Sequence, residues 1–109
     1  MNIAIYCGSS FGNDLIYEES TKILAKKLAL KKFNIVYGGS LQGLMGIISN
    51  ESLKHNNIVT GVITYDLVTK EIENKNITKI YKVNTMNERK AKMEELADAF
   101  IAIPGGYGT

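Results

Sequence analysis

Three glycine-bearing loops follow apolar runs in this 109-residue chain, and each has the composition of a loop that binds phosphate. They are Gly8-Ser9-Ser10, Gly38-Gly39-Ser40 and residues 104–109. Glycine lets backbone amides approach an anion closely, and the N-terminus of a following helix favours negative charge. One such loop is explained equally well by a tight turn, but three at one edge of a sheet favour a ligand. These loops therefore predict a site for a phosphorylated molecule.

The loops lack the sequence features of two common nucleotide sites, the P-loop and the dinucleotide-binding fingerprint. No Gly-Lys-Ser/Thr sequence is present, so a P-loop that hydrolyses triphosphates is not indicated. Gly8 and Gly12 do not have the spacing of the dinucleotide fingerprint, and the second predicted strand ends at Tyr37-Gly38 without the acidic residue that holds a ribose. A mononucleotide fits better than NAD.

One arginine lies where a helical pattern calls for an apolar residue. The stripe consists of Met86, Arg89, Met93 and Leu96. Arg89 and Lys90 also lie near the N-terminus of the predicted helix, where a cation opposes the helix dipole by about 0.3–1 kcal/mol. A bound anion or a carboxylate would relieve both costs. The alternative is an arginine whose stem packs while its head reaches water or pairs with Glu88 or Glu94.

The chain offers little else for proton transfer or nucleophilic attack. His55 lies in a polar stretch typical of a solvated helix end, and Cys7 has the pattern of a small buried hydrophobic residue. A single cysteine excludes a disulfide framework within the chain and a cysteine-rich zinc site, and it indicates a reducing compartment.

Strand-like and helix-like patterns alternate from end to end. The predicted strands are 3–7, 35–37, 58–63, 77–83 and 99–103, and helices are predicted between the first two strands, at 43–54 and at 86–97. Ile16, Ile23, Leu24 and Leu28 recur at helical spacing in the first helix, and Thr85 with Glu88 forms a capping box before the last. Residues 65–75 permit a short helix or a surface loop. Near-continuous apolar strands predict one domain over 1–109, a doubly wound, Rossmann-like α/β fold with a parallel sheet.

Composition limits the partners. A net charge of +2 and a pI near 8.6 are too mild to indicate nucleic acid, and the scattered lysines are interpreted as solvated surface. The N-terminus has no basic region or cleavage signal, and no apolar run approaches the ~20 residues that a membrane span requires. A cytoplasmic protein is expected.

The motifs together resemble the Lonely Guy family of cytokinin riboside 5′-monophosphate phosphoribohydrolases, whose members are sometimes mislabelled lysine decarboxylases. The matching residues are Cys7-Gly8-Ser9-Ser10, Tyr37-Gly38-Gly39 with Gly43-Leu44-Met45-Gly46, Met86-Asn87-Glu88-Arg89-Lys90, and 97–100 leading to 104–109. The resemblance implies a Rossmann-like fold, a homodimer or larger homo-oligomer, and no metal or organic cofactor. It implies hydrolysis of the N-glycosidic bond of a nucleoside 5′-monophosphate, either AMP or a cytokinin riboside monophosphate, to the free base and ribose 5-phosphate.

The resemblance also implies the site residues. Arg89 matches the family's catalytic arginine, and Lys90 is its neighbour in the site. The positions implied for substrate and phosphate binding are Ser9, Gly39, Gly43, Met86, Gly105, Gly106, Gly108 and Thr109. The family's catalytic glutamate would fall three positions after Thr109, so we expect a C-terminally truncated chain that lacks the last helices of the fold and is inactive by itself. Asp98 precedes the fifth predicted strand and is expected at the opposite edge of the sheet, away from the loops.

Two alternatives to hydrolysis remain open at this stage: a non-catalytic carrier, and a truncated gene product with no activity that serves at most as a packing partner. A non-catalytic carrier of a nucleotide or a phosphorylated cofactor needs the same loops and no glutamate. PLP-dependent decarboxylation has little support, because no lysine is placed for a Schiff base in a recognisable PLP site.

Overall fold

The computed structural model describes residues 1–7, 15–70 and 73–103, together with their side chains except those of residues 15, 69 and 70. The strands are β1 (Asn2–Tyr6), β2 (Asn34–Tyr37), β3 (Val59–Thr64), β4 (Lys79–Val83) and β5 (Ala99–Ala102). The helices are α1 (Leu15–Leu30), α2 (Gly43–Lys54), α3 (Tyr65–Lys70) and α4 (Met86–Leu96). The alternation predicted from the sequence is confirmed, and the open segment after β3 begins as a short helix.

All five strands are parallel, in the order β4-β3-β2-β1-β5. The chain first moves from β1 outward to β4 and then returns to pair β5 with the free side of β1, where Ile3 lies opposite Ala99. The Rossmann-like α/β class is therefore confirmed. Because the direction of progress reverses between β1 and β5, the carboxyl ends of these strands form the topological switch point at which such sheets bind ligands.

One side of the sheet packs against α1 and α2. The buried members of this cluster are Ile3, Ile5, Ala25, Leu28, Ile35, Tyr37, Leu44, Met45, Ile48, Val59 and Ile103. Strand residues alternate between the two sides, so Ile3 and Ile5 face this cluster while Ala4 faces away. Burial of side chains of this size, at about 1.5–3 kcal/mol for each large one, makes this side the main source of stability.

The buried face of α1 differs from the one that the sequence suggested. Ile16 and Ile23 were expected to share the apolar stripe with Leu28, but they are 60% and 53% exposed. The helix instead buries Thr21, Ala25 and Leu28, which recur at spacings of four and three. Small residues at the contact let α1 approach α2 closely, and the Thr21 hydroxyl donates to the carbonyl of Tyr17 at 2.6 Å, so its burial leaves no unpaired group.

The other side of the sheet packs against α4. The buried members here are Ala4, Val36, Val62 and Met93, with Leu96 and Ala97 partly buried against them. The Thr85 hydroxyl caps α4 by accepting from the amide of Glu88 at 3.1 Å, and the Glu88 carboxylate accepts from the amide of Asn84 at 3.0 Å. The predicted capping box is confirmed, with its return bond made to the residue before the cap. Among the described residues, no helix is long and apolar enough to cross a membrane.

Candidate functional site

Arg89 reaches from α4 across β3 to the carboxyl end of β2. Its Nε donates to the carbonyl of Val62 in β3 at 2.8 Å, and its Nη2 donates to the carbonyl of Gly38, just after β2. Its Nη1 lies 3.8 Å from the sulfur of Met86. The side chain thus takes an apolar position of α4, as predicted, but its head is bound to backbone carbonyls. Because arginine stays protonated in proteins, this arrangement places a fixed positive charge at the ligand-binding edge.

Gly38 is the residue that makes room for this guanidinium. A Cβ atom at position 38 would overlap Nη2 of Arg89 and would lie 2.7 Å from the sulfur of Met45. The sequence suggested that glycine here allows a ligand or a turn to come close. The structure gives a different reason for glycine at position 38. The guanidinium of Arg89, which comes from α4, lies where a side chain at this position would begin.

Gly39 and Gly43 form the turn that leads from β2 into α2. Both are buried and have positive φ angles, 84° and 55°. Residues other than glycine rarely adopt such angles. Gly39 also faces Gly61 of β3, where an added Cβ would lie 2.8 Å from the Gly39 Cα. Both predicted residues therefore lie at the carboxyl edge of β2.

The N-terminus of α2 lies at this same edge. Gln42 is the N-cap residue and makes no side-chain capping bond, and the first turn contains no acidic residue. The Ser40 hydroxyl accepts from the amide of Gln42 at 2.9 Å and is fully buried. The partial positive charge of the helix end is therefore not neutralised by an acidic side chain in its first turn, which suits a bound anion.

Lys90 and Met86 lie on α4 around Arg89. Lys90 is exposed and points about 100° around the helix from Arg89, and Met86 is 59% exposed although its sulfur touches the arginine. Met86 therefore departs from the buried stripe that the spacing predicted. Ser9, Gly105, Gly106, Gly108 and Thr109 lie outside the described residues. Asp98 accepts from the amide of Asn2 at 2.8 Å, at the amino end of β1, which confirms its expected place on the opposite edge.

Burial keeps the Cys7 thiol and the Tyr37 hydroxyl protonated at neutral pH. It raises the pKa of the Cys7 thiol to about 12, so the thiolate needed for nucleophilic attack is scarce at neutral pH. Burial also raises the pKa of Tyr37 to about 12, against the opposing effect of hydrogen bonds with Ser49 and Asn74. His55 follows the last turn of α2, with Nε2 3.5 Å from a carboxylate oxygen of Glu51. The structure favours the structural interpretation of Cys7 and His55 over a catalytic one.

Sequence reasoning missed two parts of this site. The carbonyl of Val62 carries no pattern that marks it as a partner of Arg89, because a backbone group has no residue-specific signal. Asn74 lies in a polar segment without a recognisable motif, yet it is fully buried and hydrogen-bonded to the turn at Gly39. A fully buried asparagine requires partners, but the sequence did not predict that Asn74 would be buried.

The sequence of this chain matches a known family and several of its relatives. A model of the family described as "Possible lysine decarboxylase" matches residues 45–109. The chain is 44% identical over 107 residues to cytokinin riboside 5′-monophosphate phosphoribohydrolase LOG2 of Arabidopsis thaliana, covering 98% of this chain and 50% of the relative. The chain belongs to the Lonely Guy family. It is 41% identical over 107 residues to cytokinin riboside 5′-monophosphate phosphoribohydrolase LOG of Oryza sativa subsp. japonica, covering 98% of this chain and 44% of that relative.

The Lonely Guy chain described here therefore spans about half the length of the curated relatives that it matches. A solved structure, the molybdenum cofactor carrier protein of Chlamydomonas reinhardtii, matches with a TM-score of 0.77 and 14% sequence identity over 98% of this chain and 64% of that protein. At this identity the likeness concerns the fold alone.

Proposed function

We propose that this Lonely Guy protein hydrolyses the N-glycosidic bond of nucleoside 5′-monophosphates. The supporting observation is Arg89, which donates to Val62 within β3 and to Gly38 at the carboxyl end of β2, beside the glycine turn that leads into α2. An AMP-like or cytokinin riboside monophosphate substrate supplies the anion that suits such an edge. The names of the relatives support the same class of reaction.

The chemistry assigns different roles to different groups. Water adds to C1′ of the ribose and the base leaves with a proton, which gives the free base and ribose 5-phosphate. Positive charge develops on the ribose as the bond breaks, so a carboxylate is needed to steady it and to orient the water. Arg89, as a cation, is suited to the phosphate or to the departing base. In the proposal Lys90 assists Arg89 in the reaction, and the residues that bind substrate and phosphate are Ser9, Gly39, Gly43, Met86, Gly105, Gly106, Gly108 and Thr109.

The carboxylate of the family motif falls beyond Thr109, and Asp98 lies at the wrong edge. Asp98 is therefore left out of the reaction in this proposal, which treats binding of the nucleotide and its cleavage as separate steps. This division makes binding and turnover separately measurable.

The decisive experiment compares AMP with adenosine. Affinities are measured by titration calorimetry on the 109-residue chain, and release of adenine is measured on any longer native form. AMP is expected to bind and react better because the glycine turn and Arg89 recognise phosphate. Equal affinity and equal turnover of the two ligands would contradict the proposal.

Arg89→Ala and Lys54→Ala form a matched pair of variants for this assay. Lys54 is an exposed cation at the end of α2, so its removal changes the net charge equally without touching the carboxyl edge. Arg89→Ala should lose far more affinity for AMP and far more activity. Similar values for the two variants would remove Arg89 from the site.

The carrier alternative predicts a different result in the same experiment. A longer form that binds AMP tightly and releases no adenine above a blank would favour it. The structural likeness to a molybdenum cofactor carrier does not by itself favour this function, since it concerns the fold alone.

We also propose that the protein assembles as a homodimer or a larger homo-oligomer and resides in the cytoplasm. Strand β5 is at the edge of the described sheet and exposes Phe100, which is 53% accessible and stacks on Tyr6 with ring centroids 6.0 Å apart. The other edge, β4, carries the exposed lysines Lys79 and Lys82, which discourage pairing with another strand. Light scattering at low micromolar concentration tests the assembly, and a well-folded 12.0 kDa monomer would contradict it.

A further inference from the structure

A buried polar network lies directly behind the glycine turn. Its members are Tyr37, Ser40, Ser49 and Asn74, all of which are fully buried. They come from β2, from the turn, from α2 and from the segment between α3 and β4. Polar side chains buried together are costly unless each is hydrogen-bonded, so a satisfied network of this kind fixes the geometry of the elements that it joins.

Asn74 is the centre of this network. Its Nδ2 donates to the hydroxyl of Ser49 at 3.0 Å and to the side-chain oxygen of Asn50 at 3.2 Å, both in α2. Its Oδ1 accepts from the amide of Asn76 at 3.0 Å, which closes a local turn. One side chain therefore joins the segment before β4 to the middle of α2.

The same residue also holds the glycine turn through its backbone. The amide of Asn74 donates to the carbonyl of Gly39 at 2.9 Å, and Ser40 forms an isolated antiparallel bridge with Glu73. A trans peptide holds its C=O and N–H in opposite directions, so the bond to the Gly39 carbonyl also fixes the direction of the Ser40 amide. The Tyr37 hydroxyl donates to the carbonyl of Ser40 at 3.2 Å and fixes the next peptide in the same way.

We propose that Asn74 is a positioning residue for the phosphate-binding turn. It touches no substrate. Its side chain ties it to α2, and its backbone amide holds the peptide that follows Gly39, while Tyr37 holds the peptide that follows Ser40. This inference rests on the proposed nucleotide function for its effect on binding. Its structural part, control of the turn by the backbone of a residue 35 positions away whose side chain is tied to α2, stands on the hydrogen bonds alone.

Asn74→Ala is the test variant, and Asn76→Ala is its matched control. Asn76 is exposed and uses its backbone amide in the network, so removing its side chain leaves every described bond of Asn74 in place. In the 109-residue chain, Asn74→Ala is expected to weaken AMP binding about tenfold and to leave adenosine binding unchanged, because only the phosphate depends on the turn. Asn76→Ala is expected to bind both ligands as the unmodified chain does. A loss of affinity shared equally by AMP and adenosine, or no loss, would overturn the proposal.

A second measurement separates this inference from the proposed function. Amide resonances of residues 38–43 in the ligand-free chain should shift and exchange faster with solvent in Asn74→Ala but not in Asn76→Ala. Unchanged resonances would overturn the positioning role. If the unmodified chain binds AMP and adenosine equally, the proposed function fails, while the resonances still decide whether Asn74 controls the turn. Ser49→Ala, which removes one partner of Asn74, serves if Asn74→Ala does not fold and should show the same pattern with a smaller effect.

Discussion

The two sides of the sheet differ in how they are held together. The side under α1 and α2 contains large apolar side chains such as Ile35, Leu44 and Ile48, all fully buried. The buried cluster under α4 contains Ala4, Val36, Val62 and Met93, and α4 is otherwise mainly polar. Stability is therefore concentrated on the first side.

The candidate arginine lies on the sparsely packed side. Arg89 donates there to the carbonyls of Val62 and Gly38, and its guanidinium contacts the Met86 sulfur. The glycine turn, in contrast, is backed by α2 and by the Asn74 network on the well-packed side. The site thus combines a rigid turn from one side with a hydrogen-bonded side chain from the other. Substitutions on the two sides should have separable effects on folding and on binding.

The largest difference is expected from core truncations. Ile48→Ala should lower the free energy of unfolding by about 4 kcal/mol, because Ile48 is fully buried among other large side chains. Met93→Ala should cost about 2 kcal/mol, since its surroundings are smaller and partly exposed. Urea denaturation of both variants measures these values. Equal losses of unfolding free energy would show that the two sides of the sheet contribute equally to stability, which would contradict the difference described above.

Alkaline pH should lower the free energy of unfolding by ionising Tyr37, which is buried on the side of the sheet that packs against α1 and α2. The pKa of Tyr37 is raised from 10.0 to about 12, so its contribution to stability is complete below pH 10 and is lost as the pH rises through 12. At about 1.4 kcal/mol per pKa unit, the loss amounts to about 2–3 kcal/mol. Tyr37→Phe should therefore flatten the fall in unfolding free energy over this range.

Cys7 provides the control for that measurement. Its pKa is raised from 9.0 to about 12, so part of the alkaline loss should begin one unit earlier and persist in Tyr37→Phe. Cys7→Ala should remove this earlier part. A profile that is the same in the unmodified chain and in Tyr37→Phe would show that the tyrosine ionises without cost to the fold.

Gly38→Ala tests the point where the two sides meet. The added Cβ overlaps Nη2 of Arg89, so the guanidinium must leave the Gly38 carbonyl. We expect AMP affinity to fall about tenfold, which corresponds to about 1.4 kcal/mol. In an Arg89→Ala background the same substitution should cause a smaller further loss of affinity, because the guanidinium is gone and only the close contact with the Met45 sulfur remains. Additive losses would show that Gly38 acts independently of the arginine.

Local patterns predicted the elements of the fold well. Apolar runs marked the five strands, three of them ended by a glycine-bearing loop, and Thr85 with Glu88 marked the start of α4. The buried face of α1 was predicted only in part: Leu24 and Leu28 pack into the core, whereas Ile16 and Ile23 are exposed. This helix has apolar residues on most sides, so several faces match a helical period. Periodicity cannot choose between faces when small residues such as Ala25 make the contact.

The sequence predicted those parts of the site that require a particular residue type. The spacing singled out Arg89, and glycine marked the turn at Gly39. The bonds that hold them depend on tertiary placement: the carbonyl of Val62 has no sequence signal, and Asn74 reaches the turn from a segment 35 residues away. Long-range polar contacts of this kind are set by the whole fold and are absent from any local pattern.

The smallest effect is expected at the start of α4. Thr85→Ala removes the hydroxyl that accepts from the amide of Glu88, and loss of such a cap typically costs about 1 kcal/mol. Because Arg89 lies in the next turn and relies on hydrogen bonds, fraying there should weaken AMP binding slightly more than it lowers stability. Thr85→Ser keeps the hydroxyl and should restore both quantities. Thermal unfolding and AMP titration of the two variants measure this, and a loss in Thr85→Ala that Thr85→Ser does not recover would mean that the methyl group, and not the cap, positions the helix.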